Sequence, residues 1–264
     1  MQVRPGLTVP RFVLEWSQRA PQEAAALLAR FDGSLTLPGR SVLVVGRGAG
    51  DLGVEVAHQG ARRVVAADMA MRRLKLTAVR LDEAGEPAFP VELQQFDEGL
   101  ARLGDESFEV VLASDAFRLY AGEPSSRHLE HRLAAFARRL TADGLLAVAF
   151  GPPWRAPYGG GGDSRLPWAH LIFPESVIFE EFRRARKGSA ARGFDDVGVH
   201  RITLARFRHA IGECGLEPVW CRTNVGTSGA LRVMRGLSRA KPFEEYLTQN
   251  LLGVWRRPRP ASSL

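Results

Sequence analysis

Two cysteines, Cys214 and Cys221, are all that the 264 residues contain. They are too few for a disulfide framework, which fits a reducing compartment. Nothing beside them completes a structural zinc site, and no metal is expected. No run of eighteen apolar residues occurs, so neither a membrane span nor a membrane partner is expected. The opening stretch MQVRPGLTVPRFVLEW holds Pro5 and Pro10 and lacks the apolar core of a signal peptide, so a cytoplasmic location is expected. Internal repeats are absent, and so are the signatures of RRM, KH and zinc-finger modules.

What is present is an ordinary globular mixture, 45% apolar and 25% charged. Lys and Arg outnumber Asp and Glu by 36 to 29, and the pI is near 10.2. This balance favours a polyanionic partner. The charge is scattered, however, and its one dense cluster is RRARKGSAAR, residues 183–192. That cluster reads as a solvated loop, with a phosphate or nucleic-acid patch as the competing reading.

The apolar pattern alternates strand and helix. Residues 11–31 read as a helix, with Pro21 as an interruption or a second start. SVLVVG is a buried strand, and a helix from Asp51 to Gln59 follows it, stopped by Gly60. RRVVAAD is a second strand ending at Asp68, and MAMRRLKLTAVRLDEAG is an amphipathic helix closed by Gly85. FPVELQQFD, DESFEVVLASD and GLLAVAFG read as three more strands, with a helix over Ser125 to Leu140 before the last of them. Near-continuous apolar strands alternating with helices argue for an α/β fold, a doubly wound parallel sheet with helices on both faces. After Gly151 the texture changes. PPWRAPYGGGGDSRLPWAHLIFPE is rich in Pro, Gly and Trp, too broken for a helix, and a connection of that length is usually a lid or binding loop. A helix, TLARFRHAIGECG, and two strands, LEPVWCRT and LLGVWRR, close the chain before an unstructured tail, PRPASSL.

The chemistry is concentrated in VLVVGRGAGDLGVEVA, residues 42–57. Gly46, Gly48 and Gly50 let the backbone turn sharply and approach a ligand with no Cβ in the way. The helix behind them offers unpaired N–H groups. Asp68 ends the next strand, about 20 residues on, where a carboxylate can accept both hydroxyls of a ribose. Two ligands compete for this turn. Gly48, Gly50 and Gly53 spell the dinucleotide pattern G-x-G-x-x-G. Read from the strand end, the first glycine is Gly46, and Asp51 stands where the third glycine of that pattern would be. That register favours G-x-G-x-G.

At this point the chain resembles the class I S-adenosylmethionine-dependent methyltransferases, over residues 35–257. VLVVGRGAG is similar to that family's first motif and VVAADMAMRRL to its second; QQFDEG, SFEVVLASDAF and RRLTADGLLAVAF resemble the next three. The resemblance implies a Rossmann-like, seven-stranded, mostly parallel sheet whose last strand is antiparallel, with a lid-like insertion after strand 5. It also implies S-adenosyl-L-methionine as cofactor. Gly46, Arg47, Gly48, Gly50, Asp68, Met69, Phe96, Asp97 and Ser114 would bind it, with Asp68 on the ribose, Asp97 on the adenine amino group and Phe96 beside the ring. PYGGGGDSRLPWAHLIFPE resembles the P-Y-G-G … P-W-x-H-L-x-F-P-E insertion of a bacterial subset, which covers the acceptor pocket. The implied organisation is one domain over 1–264: a helical segment over 1–34, a cofactor half over 35–150, the acceptor-covering insertion over 151–200, a closing helix and strand pair over 201–257, and the tail over 258–264. The chain departs from the family's pattern twice. Val44 stands where an acid is usual, and Arg47 where Cys or Ser is commoner; Asp51 is the nearest substitute acid.

A methyltransferase mainly aligns its acceptor, and it needs a base only when the acceptor must lose a proton. His170 in the insertion is the candidate base. Tyr158 and Glu175 flank it as acceptor-orienting groups, and Asp115 lies at the functional end of the fourth strand. The competing reading of His170 is a loop pinned by hydrogen bonds. His128 and His131 read as an exposed helix face, and His200 and His209 as structural or solvated. The reading set first is an S-adenosylmethionine-dependent transfer of a methyl group to a small-molecule acceptor, a natural product or sugar-like metabolite, by a monomer or homodimer. Val44 and Arg47 motivate a second, a repurposed protein without catalysis. The basic pI motivates a third, an RNA methyltransferase, although no N/D-P-P-Y/F motif is present. A nicotinamide oxidoreductase would need a constellation such as Y-x-x-x-K, which is absent.

Overall fold

The computed structural model describes residues 11–46, 48–68, 71–83, 91–95, 103, 108–117, 128–160, 166–185, 190–197, 199–226 and 228–259. Arg47, Met69, Phe96 and Asp97 lie outside these residues, as do Gly85, the first three residues of the helix expected from Ser125, and the tail from Pro260.

β1 (Ser41–Gly46) is buried at every position, and β2 (Arg63–Asp68) at all but its first. A strand covered on both faces needs no polar alternation, which is why both read as continuous apolar runs. β3 is Val91–Gln95, β4 Phe108–Ser114, β5 Leu140–Phe150, β6 Glu217–Thr223 and β7 Leu251–Arg256. The sheet order is β3-β2-β1-β4-β5-β7-β6. β1 runs parallel to both β2 and β4, and β2 to β3. The antiparallel exception falls at β7, as expected for the last strand.

The helices are α1 (Arg11–Ala29), α2 (Ala49–His58), α3 (Met71–Glu83), α4 (His128–Arg138), α5 (Ala169–Ile172), α6 (Glu175–Ala185), α7 (Leu204–Glu213), α8 (Gly229–Leu237) and α9 (Lys241–Leu247). Among the described residues no helix is long and apolar enough to cross a membrane. Several sequence expectations are corrected. α2 starts at Ala49, two residues before Asp51, because Gly50 belongs to the helix. β5 begins at Leu140, earlier than GLLAVAFG. The stretch after Gly151 is not free of helix, since α5 lies within it and α6 starts at its last residue, Glu175. The basic cluster also starts on α6, where Arg184 is paired with Glu180 and Glu181 at 2.5 Å each. His128 is not on an exposed face: it is 8% exposed and donates from Nε2 to the Phe117 carbonyl at 3.1 Å.

The chain divides into two compact units. The first comprises Met1–Ser114, Arg139–Ala147 and Arg256–Leu264. Its core is the apolar filling of β1, β2 and β4, joined by Leu52, Val56 and Leu74 from α2 and α3. At the N-terminal edge of these strands Glu109 accepts the Ser41 N–H at 3.0 Å, Arg62 at 2.9 Å, Arg40 at 3.1 Å and the Ser41 hydroxyl at 3.4 Å. The Arg62 hydrogen bond first, then the Ser41 amide, hold its carboxyl at about 2, against an ordinary 4.5. A carboxyl lowered in the folded state stabilises fully above its unfolded pKa and ceases to do so as pH falls through the folded one. Glu109→Gln is therefore expected to cost about 1 kcal/mol near pH 7, discounted for partial exposure. The gap from the wild type should close between pH 4.5 and about 2 in urea melts. A gap of the same size at pH 2 and pH 7 would count against this assignment.

The second unit comprises Asp115–Arg138 and Val148–Trp255. Its core is aromatic. Phe150 stacks on Phe207 at 4.6 Å, and Phe117 meets both rings edge-on. α4 buries Arg132 at 1% exposure, where its guanidinium donates to the Ala116 carbonyl at 2.8 Å. With His128 this fixes the turn that begins at Asp115, a non-glycine residue at φ 48. Glu245 caps α7 by accepting the Leu204 and Ala205 amides at 2.9 and 3.2 Å.

Candidate nucleoside site and acceptor-side cluster

In the first unit the C-terminal ends of β1, β2 and β4 bring Gly46, Gly48, Asp68 and Ser114 to one edge. Gly46 ends β1 in register beside Ser114, the last residue of β4. Gly48 caps α2 at φ 82, ψ 17, with no side-chain cap. A Cβ there would meet nothing within 4 Å, so it is the left-handed backbone that calls for glycine and the space beside it is open. Gly50 works differently. Its Cβ would fall 2.3 Å from Thr77 Oγ1 and 2.8 Å from Thr77 Cβ, so the missing side chain lets α3 pack on α2. Val44, between Ala66 and Leu112 in the sheet, is 0% exposed, and Asp51 is buried in the first turn of α2.

Asp68 ends β2 with its side chain fully buried. Its Oδ2 accepts the Gly48 amide at 2.9 Å. Arg73, from the first turn of α3, grips the same carboxylate as a fork, from Nε to Oδ2 at 3.0 Å and from Nη2 to Oδ1 at 3.2 Å. The acid expected from the sequence is therefore next to the glycine turn, and an arginine that sequence reading missed already holds it. VVAADMAMRRL contains that signal, but an arginine on an amphipathic helix is ordinarily a solvent group.

The second unit brings several residues of the insertion together. His170 donates from Nε2 to the Trp154 carbonyl, and its ring packs edge-on against the indole at 4.7 Å. A carbonyl only accepts, so Nε2 carries the proton and Nδ1 keeps the lone pair of the neutral ring. Burial pushes the imidazole below the usual histidine range, opposed by the Trp154 bond. Gly160 is required here: a Cβ would lie 2.5 Å from His170 Cβ and 2.7 Å from its Cγ. Glu175 accepts the Phe194 amide at 2.6 Å and pairs with Arg201 at 3.1 Å. Arg201 in turn lies over the Trp154 and Phe194 rings at 5.6 and 5.7 Å. Glu175 is thus engaged in building the insertion. Tyr158 is exposed, and Asp115 sits in the turn after β4.

No family model matches the chain, and a search of curated proteins finds no match. Solved structures do match. A magnesium protoporphyrin IX methyltransferase from Synechocystis, with S-adenosylhomocysteine bound, shares 16% identity over 95% of this chain and 90% of its own, with a TM-score of 0.55. A geranyl diphosphate methyltransferase in complex with S-adenosylmethionine shares 13% identity over 96% of this chain and 92% of its own, with a TM-score of 0.57. The chain has the methyltransferase fold. A 4+2 cyclase is similar at the same level, with 15% identity over 93% of this chain and 83% of its own and a TM-score of 0.56. Function on a shared fold lives in the site rather than in the sheet.

Proposed function

We propose that the chain is an S-adenosylmethionine-dependent methyltransferase acting on a small molecule. One observation carries the reading: the left-handed glycine turn after β1 lies against a carboxylate at the end of β2, joined by the 2.9 Å Gly48–Asp68 bond. The open space beside Gly48 and the uncapped start of α2 fit a nucleoside ligand. Gly46, Gly48, Asp68 and Ser114 would hold it, with Arg47, Met69, Phe96 and Asp97 assigned by family resemblance alone. When bound, S-adenosylmethionine supplies a methyl group already activated by its sulfonium. The protein's own residues then orient the acceptor, exclude water and take a proton. His170 is the proposed base, acting from Nδ1, which the described residues leave without a partner. The exposed aromatic rings of Tyr158 and Phe173 in the insertion suit a planar or apolar acceptor, a natural product or sugar-like metabolite. An RNA acceptor is less favoured, because Arg184 in the basic cluster is already neutralised on α6.

The second reading, a protein that keeps the fold without methyl transfer, has its own support in the arginine fork on Asp68 and in the cyclase likeness. Calorimetric titration separates the two from a dinucleotide enzyme. S-adenosylhomocysteine is expected to bind and NAD is not. Binding of NAD alone would overturn the methyl-donor reading, and turnover on an acceptor panel would exclude the non-catalytic one.

A further inference from the structure

Asp68 cannot accept both hydroxyls of a ribose, one on each oxygen, while Arg73 keeps its fork. A carboxylate accepts at about four lone-pair positions. Among the described residues, Gly48 and Arg73 take both on Oδ2, and Arg73 takes at least one on Oδ1. A vicinal diol presents one hydroxyl to each oxygen, so at least the Arg73 Nε bond must break to admit it. The Asp68 side chain is 0% exposed and that of Arg73 17%, so the guanidinium covers the acid. Swinging it away gives up bonds between two ions and returns hydroxyl bonds in which only the carboxylate is charged. The backbone of Arg73 stays in place, since Thr77 Oγ1 donates to its carbonyl at 3.2 Å.

We propose that Arg73 is a specificity-determining residue that competes with the ribose hydroxyls for Asp68, so that adenosine ligands bind only when its side chain is displaced. This rests on the methyl-donor reading above. The site is thereby weak for any ligand that offers a ribose alone. It selects those whose remaining contacts repay the exchange.

The test is calorimetric titration of S-adenosylhomocysteine into the full-length wild type, Arg73→Met and Arg73→Lys. Arg73→Met is expected to bind at least tenfold more tightly than the wild type. Lysine keeps the charge but not the fork, so Arg73→Lys should bind several-fold more tightly. If Arg73→Met fails to fold, Arg73→Lys decides alone. Binding by the variants within twofold of the wild type, or weaker, overturns the competition and leaves the methyl-donor reading standing. No binding by any of the folded proteins overturns the methyl-donor reading, and this inference with it.

Discussion

Asp68→Ala is expected to lower the unfolding free energy of the first unit by about 3–5 kcal/mol, the cost of removing one partner of a buried pair. With a urea slope of about 2 kcal/mol per molar, the midpoint should fall by about 2 M. The carboxylate is fully buried and binds both the turn before α2 and the first turn of α3, so its loss unfastens two elements together. Asp68→Asn should cost nearly as much. Its amide oxygen still accepts the Gly48 N–H, but its NH2 then faces a guanidinium that can only donate. Replacing both partners with apolar groups, Asp68→Leu with Arg73→Met, should recover much of the loss, since a buried pair is often neutral against well-packed hydrophobes. The coupling in that double-mutant cycle measures the fork directly. A fall of under 0.5 M for Asp68→Ala would mean that Arg73 relaxes into water and the pair holds nothing.

The same residue shows how far the sequence could be read. Asp68, Gly46 and Gly48 were legible because chain order fixes them: a parallel strand ends, a helix begins, and the next strand ends beside the first. The apolar runs of β1, β2 and β4 were equally plain, since strands buried on both faces admit no polar residue. Contacts set by helix placement were hidden. Gly50 looks like part of the turn until Thr77 of α3 is seen 2.3 Å from its Cβ position. Arg132 and His128 look solvated on a helix and are instead buried, donating to the carbonyls of Ala116 and Phe117. α8 and α9 went unread because neither carries a fully buried residue, so no apolar stripe is matched by a core. The Ser228 cap, whose hydroxyl accepts the Leu231 amide at 3.2 Å, was the available signal.

His170→Ala is expected to lower kcat for methyl transfer by about 100- to 10,000-fold if the acceptor gives up a proton to this ring. The bond from Nε2 to the Trp154 carbonyl fixes the tautomer and leaves Nδ1 as the base. Burial lowers the pKa from 6.5, so the ring stays neutral to lower pH than an ordinary histidine. The acid limb of the kcat profile should therefore fall below pH 6.5 in the wild type and vanish in the variant. A residue that merely pins its loop would also lose activity on substitution, and His170→Gln separates the two roles. Its amide NH2 reaches the position of Nε2 and can donate to the Trp154 carbonyl and so keep the loop, but it cannot take a proton. If His170→Gln melts like the wild type and remains as inactive as His170→Ala, the ring is the base. If it restores activity, the ring is a strut. Gly160→Ala approaches the question from the other side. Its methyl would press on His170 Cβ and Cγ and turn the imidazole off its carbonyl, so the base reading requires kcat to fall while the imidazole remains in the chain. Full activity in Gly160→Ala would mean that the orientation of His170 is of no consequence to the reaction, which a base held by a single hydrogen bond cannot allow.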